Sequence, residues 1–342
     1  VDLIPKFVMA GGDLLKLLFK TGVIHYLEWK IIDGTYVYQW DEGGLFSSAK
    51  GNVCKVPANT KEAITSDLMG LFEKNRFKNF LKYVEDWEET IPKTHDKIKP
   101  EEPFKQVIKK FGLNDNTADF IGHAVALETT DEFLEKPVKK VMTELKLYQN
   151  SIGRYGESPF IYPVYGLSGL AEGFSRLCAL YGGTYMLNTD CEEILYDESG
   201  KFKGIKTKGG EVAYSKMLIA DPTYIYKQNP KKVKSLGKII RCICLLNHPI
   251  NKTKNMASTQ IIIPQRQIKR KNDIFIATLN HTHCVCQNGY YLAIISTVVE
   301  TDKPIDELAP AFKVIGDVLE TFVTISDEWE PVESTDDNVI VT

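Results

Sequence analysis

Gly166-Leu-Ser-Gly-Leu-Ala-Glu-Gly173 is the stretch on which the fold prediction depends, because it opens a helix whose apolar face continues to Leu180. The pair Gly182-Gly183 then ends this helix, since glycine takes the left-handed conformation of a helix C-terminus at little cost. Short β patterns at 184–187 and 193–196 follow directly. A helix between glycine turns that leads straight into strands predicts a mixed α/β fold.

The chain downstream of this helix reads as strands with one helix near its end. A hairpin is predicted around Gly209-Gly210, because a glycine pair between two alternating apolar patterns favours a tight turn. Residues 217–220 predict a short buried strand that ends at Asp221-Pro222. Further strands are predicted at 239–246, 259–263, 273–279 and 290–297, and a helix at 306–322.

The chain upstream of Arg154 divides into two parts. Residues 1–20 show two short helical patterns, and strand patterns then lead to a loop that contains Gly and Ser at 39–52. From residue 58 to 150 the apolar residues keep helical spacing, which predicts a compact helical insert with helices that begin near Asn59 and at 103–111, 115–127 and 131–149. We therefore predict a larger mixed-sheet domain, discontinuous at 1–57 and 151–342, and a helical domain at 58–150.

The composition indicates a globular protein. The 342 residues are 43% hydrophobic, and 42 basic residues against 45 acidic ones give a formal net charge of −3. A surface that binds nucleic acid needs a basic excess, which this chain lacks. No apolar run reaches the roughly 18 uncharged residues of a spanning helix, and the seven cysteines are thinly spread. The sequence therefore predicts a cytoplasmic protein with reduced thiols.

The sequence contains none of the common catalytic or nucleotide-binding motifs. GxGxxG, GxxxxGK[ST], GxSxG and HExxH are absent, so we predict no enzymatic activity and no cofactor. The run His281-Thr-His283-Cys284-Val-Cys286 offers four metal ligands, but on a strand its histidines and cysteines would face opposite ways, and we predict no metal site there. His123, in an apolar helix, is predicted to be a hydrogen-bonded interior histidine.

Two long stretches resemble the Rab GDP dissociation inhibitor family. The first is Leu68-Met-Gly-Leu-Phe-Glu-Lys-Asn-Arg-Phe-Lys-Asn-Phe-Leu81. The second runs from Arg154-Tyr-Gly-Glu-Ser-Pro-Phe-Ile-Tyr-Pro-Val-Tyr-Gly-Leu167 to Tyr181-Gly-Gly-Thr-Tyr-Met-Leu-Asn188. Val1-Asp-Leu-Ile-Pro-Lys-Phe7, Gln260-Ile-Ile-Ile-Pro264 and Ser296-Thr-Val-Val-Glu-Thr301 extend the likeness over nearly the whole chain.

The resemblance implies a flavoprotein-like architecture with an inserted all-helical domain, which agrees with the pattern above. It also implies that the chain is an internal fragment, lacking the family's N-terminal glycine-rich βαβ unit and its C-terminal end. The stretch at 39–52 is longer than the family's usual hairpin, which makes it a candidate lineage-specific loop.

The resemblance assigns a Rab-binding platform to the region around the deciding helix. An arginine, a threonine and a methionine of the family's platform fall on Arg176, Thr184 and Met186. Its acidic residue falls on Gly169 here, and Glu172 is the candidate to supply that charge instead. The family's mobile effector loop corresponds to residues 154–165, with Arg154, Tyr155 and Pro159 as its recognisable members.

The function implied by the resemblance is that of a carrier. Such a protein binds geranylgeranylated, GDP-bound Rab GTPases, slows GDP release and moves these proteins between membranes, in the cytoplasm and as a monomer that contacts membranes transiently. A carrier must shelter the isoprenoid lipid, and small residues in the helical insert suggest an apolar groove there. The predicted groove residues are Leu68, Leu71, Phe72, Ala118, Gly122, Phe133, Leu134, Val141 and Met142.

Two other functions fit parts of the sequence. A Rab escort protein, which presents Rab for geranylgeranylation, shares the fold but is usually longer. A flavin-dependent oxidoreductase also carries a glycine-rich helix start and a glycine pair before a strand. Stable association with the prenyl transferase would identify the first, and a visible absorption band of bound flavin would identify the second.

Overall fold

The computed structural model describes residues 1–41, 50–57, 69–332 and 336–342, without the side chain of Leu71. Contacts divide the chain into two compact units. Unit 1 comprises Val1–Phe174 and Arg241–Thr324, and unit 2 comprises Ser175–Ile240 and Ile325–Thr342. The predicted loop at 39–52 lies mostly outside the described residues, and so do Leu68 and the predicted helix start at Asn59.

The described strands, numbered in chain order, include seven that form the main sheet. The strands are β1 (Val8–Met9), β2 (Trp29–Ile31), β3 (Gly34–Asp41), β4 (Lys50–Lys55), β5 (Phe160–Pro163), β6 (Cys191–Tyr196), β7 (Phe202–Thr207), β8 (Val212–Tyr214), β9 (Leu218–Ala220), β10 (Val233–Leu246), β11 (Thr259–Ile263), β12 (Ile274–Asn280), β13 (Tyr291–Val298), β14 (Glu320–Pro331) and β15 (Val339–Val341). The order in the main sheet is β14-β10-β13-β12-β11-β3-β4. Because β11 pairs antiparallel with β12 and parallel with β3, the sheet is mixed and the predicted mixed α/β class is confirmed.

The two faces of the main sheet differ in burial. Successive side chains of a strand point to opposite faces, so β-branched residues at every second position can cover one face completely. Ile261, Ile276 and Ile295 are directly opposed on neighbouring strands, and each is fully buried. The other face is less apolar, because there Gln260 is opposed to Ala277, which is in turn opposed to Ile294.

The helices gather mainly in the region between β4 and β5. They are α1 (Asp13–Thr21), α2 (Leu71–Asp86), α3 (Lys105–Phe111), α4 (Asp115–Asp119), a π-helix (Phe120–Val125), α5 (Val138–Ser151), α6 (Ser168–Leu180), α7 (Pro222–Ile225) and α8 (Ala309–Ile315). Asn114 caps α4 by accepting a hydrogen bond from the Thr117 backbone N–H, and Gly112 ends α3 in the left-handed conformation. Among the described residues, no helix combines the length and apolar character needed to cross a membrane.

The helical region shares one apolar core with the strands of the main sheet that lie in unit 1. Phe77 and Phe80 of α2 pack with rings from the other helices, and Ile262 of β11 belongs to the same buried cluster. The division predicted at 57/58 and 150/151 differs from the contact units, and it stays a prediction.

Unit 2 contains two small sheets with a separate core. β6, β7 and β8 form an antiparallel sheet, and β9 pairs with β15. The hairpin predicted around Gly209-Gly210 is present, with Gly210 at a φ of 84°. The rings of Tyr226 and Trp329 stack 4.9 Å apart beside this core.

Several predicted elements were wrong, and each has a local cause. The helix predicted at 306–322 stops at Ile315, because Gly316 has a φ of 82° and β14 begins shortly afterwards. The helix predicted at 131–149 begins only at Val138, after a 3-10 turn and Pro137. Residues 184–187 form no strand, and the strand at 217–220 is not buried, since Ile219 is mostly exposed. The first seven residues form no helix.

Candidate functional site: an apolar pocket among the helices

An apolar pocket of about 300 Å³ lies between α2, the π-helix and α5 in unit 1. Its walls come from the apolar face of α2, where Phe77, Phe80 and Val84 recur at helical spacing. Aromatic contacts hold these walls together, since the Phe77 ring lies 6.1 Å from that of Phe80 and 5.4 Å from that of Phe120. The remaining lining residues are Pro57, Lys78, Leu81, Lys82, Glu85, Ile121, Val125, Leu145, Tyr148, Gln149 and Ile152.

The π-helix is the local feature that shapes this pocket. An extra residue per turn widens the helix and redirects its side chains, and such segments are often found at functional sites. Here it follows α4 directly and presents Phe120, Ile121 and Val125 to the pocket. The polar groups Lys78, Lys82, Glu85 and Gln149 also line the pocket and lie on the sides of the helices that reach solvent. The result is an apolar interior with a mixed polar rim, which suits the chain of a lipid.

None of the predicted groove residues whose side chains the structure describes lines this pocket. Phe133, Val141 and Met142 are fully buried in the core, and Phe72 is 84% exposed. Gly122 opens no space either, because a methyl group added there would lie 2.2 Å from the ring of Phe133. Ala118 is buried and Leu134 is half-buried, whereas Leu68 and the side chain of Leu71 are outside the described residues.

A buried network of charges ties the helical region to the sheet side of unit 1. The imidazole of His123 is fully buried, with Nδ1 2.7 Å from Asp273 Oδ2 and Nε2 3.0 Å from Asp131 Oδ1. Arg266 approaches Asp131 at 3.2 Å and Asp119 at 3.3 Å. His123 is therefore the hydrogen-bonded interior histidine that the sequence predicted.

The network around His123 contains both acidic and basic side chains. Asp119, His123 and Asp131 offer ligand atoms that lie within 4.8 Å of one another, which is close enough to hold a metal ion. However, the guanidinium of Arg266 already pairs with both of these carboxylates. Burial alone would lower the pKa of His123, but the hydrogen bonds to Asp273 and Asp131 raise it to about 9. Two cationic side chains thus compensate the carboxylates, and the arrangement is that of an ion-pair network.

The predicted platform residues are all exposed. Glu172 and Arg176 lie on α6, and Thr184 and Met186 lie in the segment after Gly182. Gly182 has a φ of 82°, and a methyl group added at Gly183 would lie 2.1 Å from Cys178 Sγ, so the turn requires this glycine pair. Four further large apolar side chains within six residues of Met186 in the sequence are also exposed, namely Leu180, Tyr181, Tyr185 and Leu187. Exposed apolar side chains are candidates for protein contacts.

The predicted effector loop is anchored at one end and exposed at the other. Pro159 is buried, and its carbonyl accepts a 2.8 Å hydrogen bond from the Ala10 backbone N–H. Arg154 and Tyr155 are exposed, although Arg154 Nε donates a hydrogen bond to the Asn150 carbonyl. The exposed half of the loop is available for contact with another protein.

The chain is similar to known inhibitors of GDP dissociation over its whole length. The family model described as "GDP dissociation inhibitor" matches residues 1–342. The chain is 48% identical over 333 residues to the probable secretory pathway GDP dissociation inhibitor 1 of Schizosaccharomyces pombe, a match that covers 97% of this chain and 72% of that protein. It is also 48% identical over 336 residues to the Rab GDP-dissociation inhibitor of Saccharomyces cerevisiae, with 97% of this chain and 71% of that protein covered.

A solved structure gives the same result for the fold. The crystal structure of the Rab GDI from Plasmodium falciparum superposes with a TM-score of 0.93 at 44% identity, covering 100% of this chain and 77% of that chain. Fold, pocket and relatives together define a regulatory binding protein of small-GTPase pathways. The chain belongs to the GDP dissociation inhibitor family, as the sequence resemblance predicted.

Proposed function

We propose that the chain is a Rab GDP dissociation inhibitor that binds GDP-bound, geranylgeranylated Rab GTPases, slows GDP release and carries these proteins between membranes. The family match supports this function, together with two relatives that are named as Rab GDP dissociation inhibitors. The apolar pocket among the helices is the structural observation that carries the lipid part of the proposal.

The pocket can stabilise an isoprenoid in the absence of a membrane. Each CH₂ group withdrawn from water contributes about 0.8 kcal/mol to lipid anchoring. Phe80, Leu81, Phe120, Leu145 and Ile152 provide an apolar lining for such a chain. We therefore assign the prenyl site to this pocket, in place of the groove residues predicted from sequence.

The protein contact is assigned to the platform and to the effector loop. Arg176, Thr184 and Met186 are exposed in unit 2, and Glu172, Arg154 and Tyr155 are exposed in unit 1. Once a Rab protein is bound through one contact, binding of its lipid becomes intramolecular, which raises the overall avidity. If the carrier prefers the GDP-bound form, thermodynamic linkage requires that GDP be held more tightly in the complex.

This mechanism requires no bond to be made or broken. The chain therefore acts as a monomeric carrier without catalytic residues or a cofactor. It works in the cytoplasm and contacts the membrane surface only while it takes up or delivers a Rab protein. A binding assay with the prenyl transferase distinguishes this carrier from a Rab escort protein, because an escort protein would form a stable complex with the transferase.

Replacement of Gln149 by tryptophan is expected to weaken binding of prenylated, GDP-loaded Rab at least ten-fold. Gln149 is half-buried in the pocket wall, so an indole ring at this position would take up space that the lipid needs. A ten-fold loss corresponds to about 1.4 kcal/mol of binding free energy. Titration against both prenylated and unprenylated Rab measures the effect, and only the prenylated protein should be affected.

The matched control is Asn150→Trp, which places the same ring on an exposed neighbour outside the pocket. Its affinity for prenylated Rab should equal that of the unmodified protein. Equal losses for the two variants, or a Gln149→Trp variant with unchanged affinity, would remove the lipid assignment of this pocket.

Replacement of Arg176 by alanine is expected to weaken binding of prenylated and unprenylated Rab to the same extent, by roughly ten-fold or about 1.4 kcal/mol. Arg176 is exposed on α6, so its loss should remove polar contacts with the partner while the thermal unfolding midpoint stays nearly constant. Lys201→Ala is the control, since Lys201 is exposed in the turn before β7. An Arg176→Ala variant with full affinity would refute the platform.

A further inference from the structure

A second cavity lies on the less apolar face of the main sheet, within unit 1. Its volume is about 440 Å³, which lies in the range of small-molecule sites. Within the described part of the chain, the residues that line this cavity differ from those that line the pocket among the helices. This cavity is therefore a binding-site candidate separate from the pocket among the helices.

The sheet register explains why side chains of mixed character meet in this cavity. Gln260, Ala277 and Ile294 are directly opposed on β11, β12 and β13, so their side chains share one face. Phe275 and Ser296 form the neighbouring opposed pair on that face. The alternation of a small residue with larger ones leaves a hollow over Ala277.

The N-terminal segment forms the opposite wall. Asp2 fixes its start, because Asp2 Oδ2 accepts a 2.7 Å hydrogen bond from the Leu167 backbone N–H and a further bond from the Tyr162 hydroxyl. β1 fixes its end by pairing with β5. Between these anchors, Lys6 and Phe7 line the cavity, and the Phe7 ring packs edge-on against Tyr162 at 5.5 Å.

The charged side chains that are described in the lining of this cavity are basic. Lys6 and Arg241 both line the cavity, whereas no Asp or Glu does so among the described residues. Gln260 adds an amide whose Oε1 atom is buried without a hydrogen-bond partner in the described part of the chain. An unpaired buried acceptor is destabilising, and an anion cannot donate a hydrogen bond to it in its present orientation. Rotation of this amide would let its NH₂ group donate to an anion.

The apolar part of the lining is equally well defined. Phe7, Phe160 and Phe275 contribute aromatic surface, and Leu127 and Ile294 contribute aliphatic surface. A ligand that matches both parts has an apolar body and a single anionic head. An alkyl or isoprenoid carboxylate or phosphate has this chemistry.

We propose that this sheet-face cavity binds an amphipathic anion, with its head at Lys6, Arg241 and Gln260 and its apolar body against Phe7 and Phe275. The cavity would give the chain a second lipid-binding site, independent of the pocket among the helices. Its occupation does not depend on Rab binding, so the two proposals can fail separately.

Calorimetric titration of the purified protein with dodecanoate, dodecyl phosphate and neutral dodecanol tests the proposal. At least one of the two anions should bind at least ten-fold more tightly than dodecanol, and the tighter anion identifies the head group. Comparable affinity for dodecanol, or no binding of either anion, would overturn the proposal.

Variants locate the bound anion. Ala277→Phe fills the hollow and should reduce anion affinity at least ten-fold, whereas Gln149→Trp, in the other pocket, should leave it unchanged. Lys6→Gln should reduce it several-fold, and the matched exposed variant Lys20→Gln should not. Because Lys6 is exposed, this pair remains informative even if Ala277→Phe is poorly folded. Binding that is lost in Gln149→Trp and kept in both cavity variants would contradict the assignment.

Discussion

Replacement of Asp273 by alanine is expected to lower the free energy of unfolding by about 3–5 kcal/mol. The carboxylate of Asp273 is fully buried, and its Oδ2 atom lies 2.7 Å from His123 Nδ1. Its Oδ1 atom also accepts a 2.8 Å hydrogen bond from the Gln265 backbone N–H. Among the described residues, removal of this carboxylate leaves the buried imidazolium with two direct partners, the Asp131 carboxylate and the Glu128 carbonyl oxygen, which lies 3.0 Å from Nδ1. Denaturant unfolding of the two proteins measures the difference.

The pH dependence of stability provides a second measurement of the same interaction. The pKa of His123 is raised from 6.5 to about 9 in the folded protein, mainly through Asp273, against the opposing effect of burial. A raised pKa stabilises the fold fully below the unfolded value, and this contribution is lost as pH rises through the folded value. Between pH 6.5 and about 9 the unmodified protein should therefore lose about 3 kcal/mol from this group. The Asp273→Ala variant should lose much less.

An exposed ion pair is the control for this prediction. Asp13 and Lys16 approach to 2.9 Å on α1, but the Asp13 side chain is 96% exposed. Asp13→Ala should therefore change the free energy of unfolding by less than about 1 kcal/mol. If Asp273→Ala loses no more unfolding free energy than Asp13→Ala, the buried pair of His123 and Asp273 does not stabilise the packing of the helical region on the sheet.

The strands of the main sheet could be predicted closely from the sequence because their signal is local. The pattern at 259–263 coincides with β11, and the pattern at 273–279 lies within one residue of β12. Both are rich in β-branched residues, which alternate in β12 and include three successive isoleucines in β11, and loop residues stand at each end. Helix ends were harder to predict, because Gly316 and Pro137 interrupt patterns whose apolar spacing continues beyond them. Apolar spacing alone therefore does not show the residue at which a glycine or proline ends or delays a helix.

The location of the pocket depends on packing between distant segments. The sequence indicated an apolar helical region, but small residues such as Gly122 suggested a cavity that Phe133 in fact fills. The real pocket follows from a π-helix, whose extra residue per turn has no distinct sequence signal. Ile152 lies just beyond α5, where its role in a pocket wall also depends on tertiary contacts. One usable signal was the stripe Phe77, Phe80 and Val84, which has the spacing of an interior face.

The packing of Phe133 leads to the second large expected effect. Phe133→Ala should lower the free energy of unfolding by about 3–5 kcal/mol, because its ring is 1% exposed and its loss leaves a cavity. Phe72→Ala is the matched control, since that ring is 84% exposed, and it should cost less than about 0.5 kcal/mol. Both positions were predicted from sequence to line one groove, so similar effects in the two variants would favour the groove over the core.

Gly122 supplies an independent check on the same packing. A methyl group at Gly122 would lie 2.2 Å from the Phe133 ring, so Gly122→Ala should destabilise the protein by about 1–3 kcal/mol. In a Phe133→Ala background the same change should cost little, because the ring that the methyl group meets is gone. A double-mutant cycle measures this coupling, and strictly additive losses would show that the two residues do not touch. Strong coupling would instead show that Gly122 and Phe133 belong to the packed core of the helical region and not to a lipid groove.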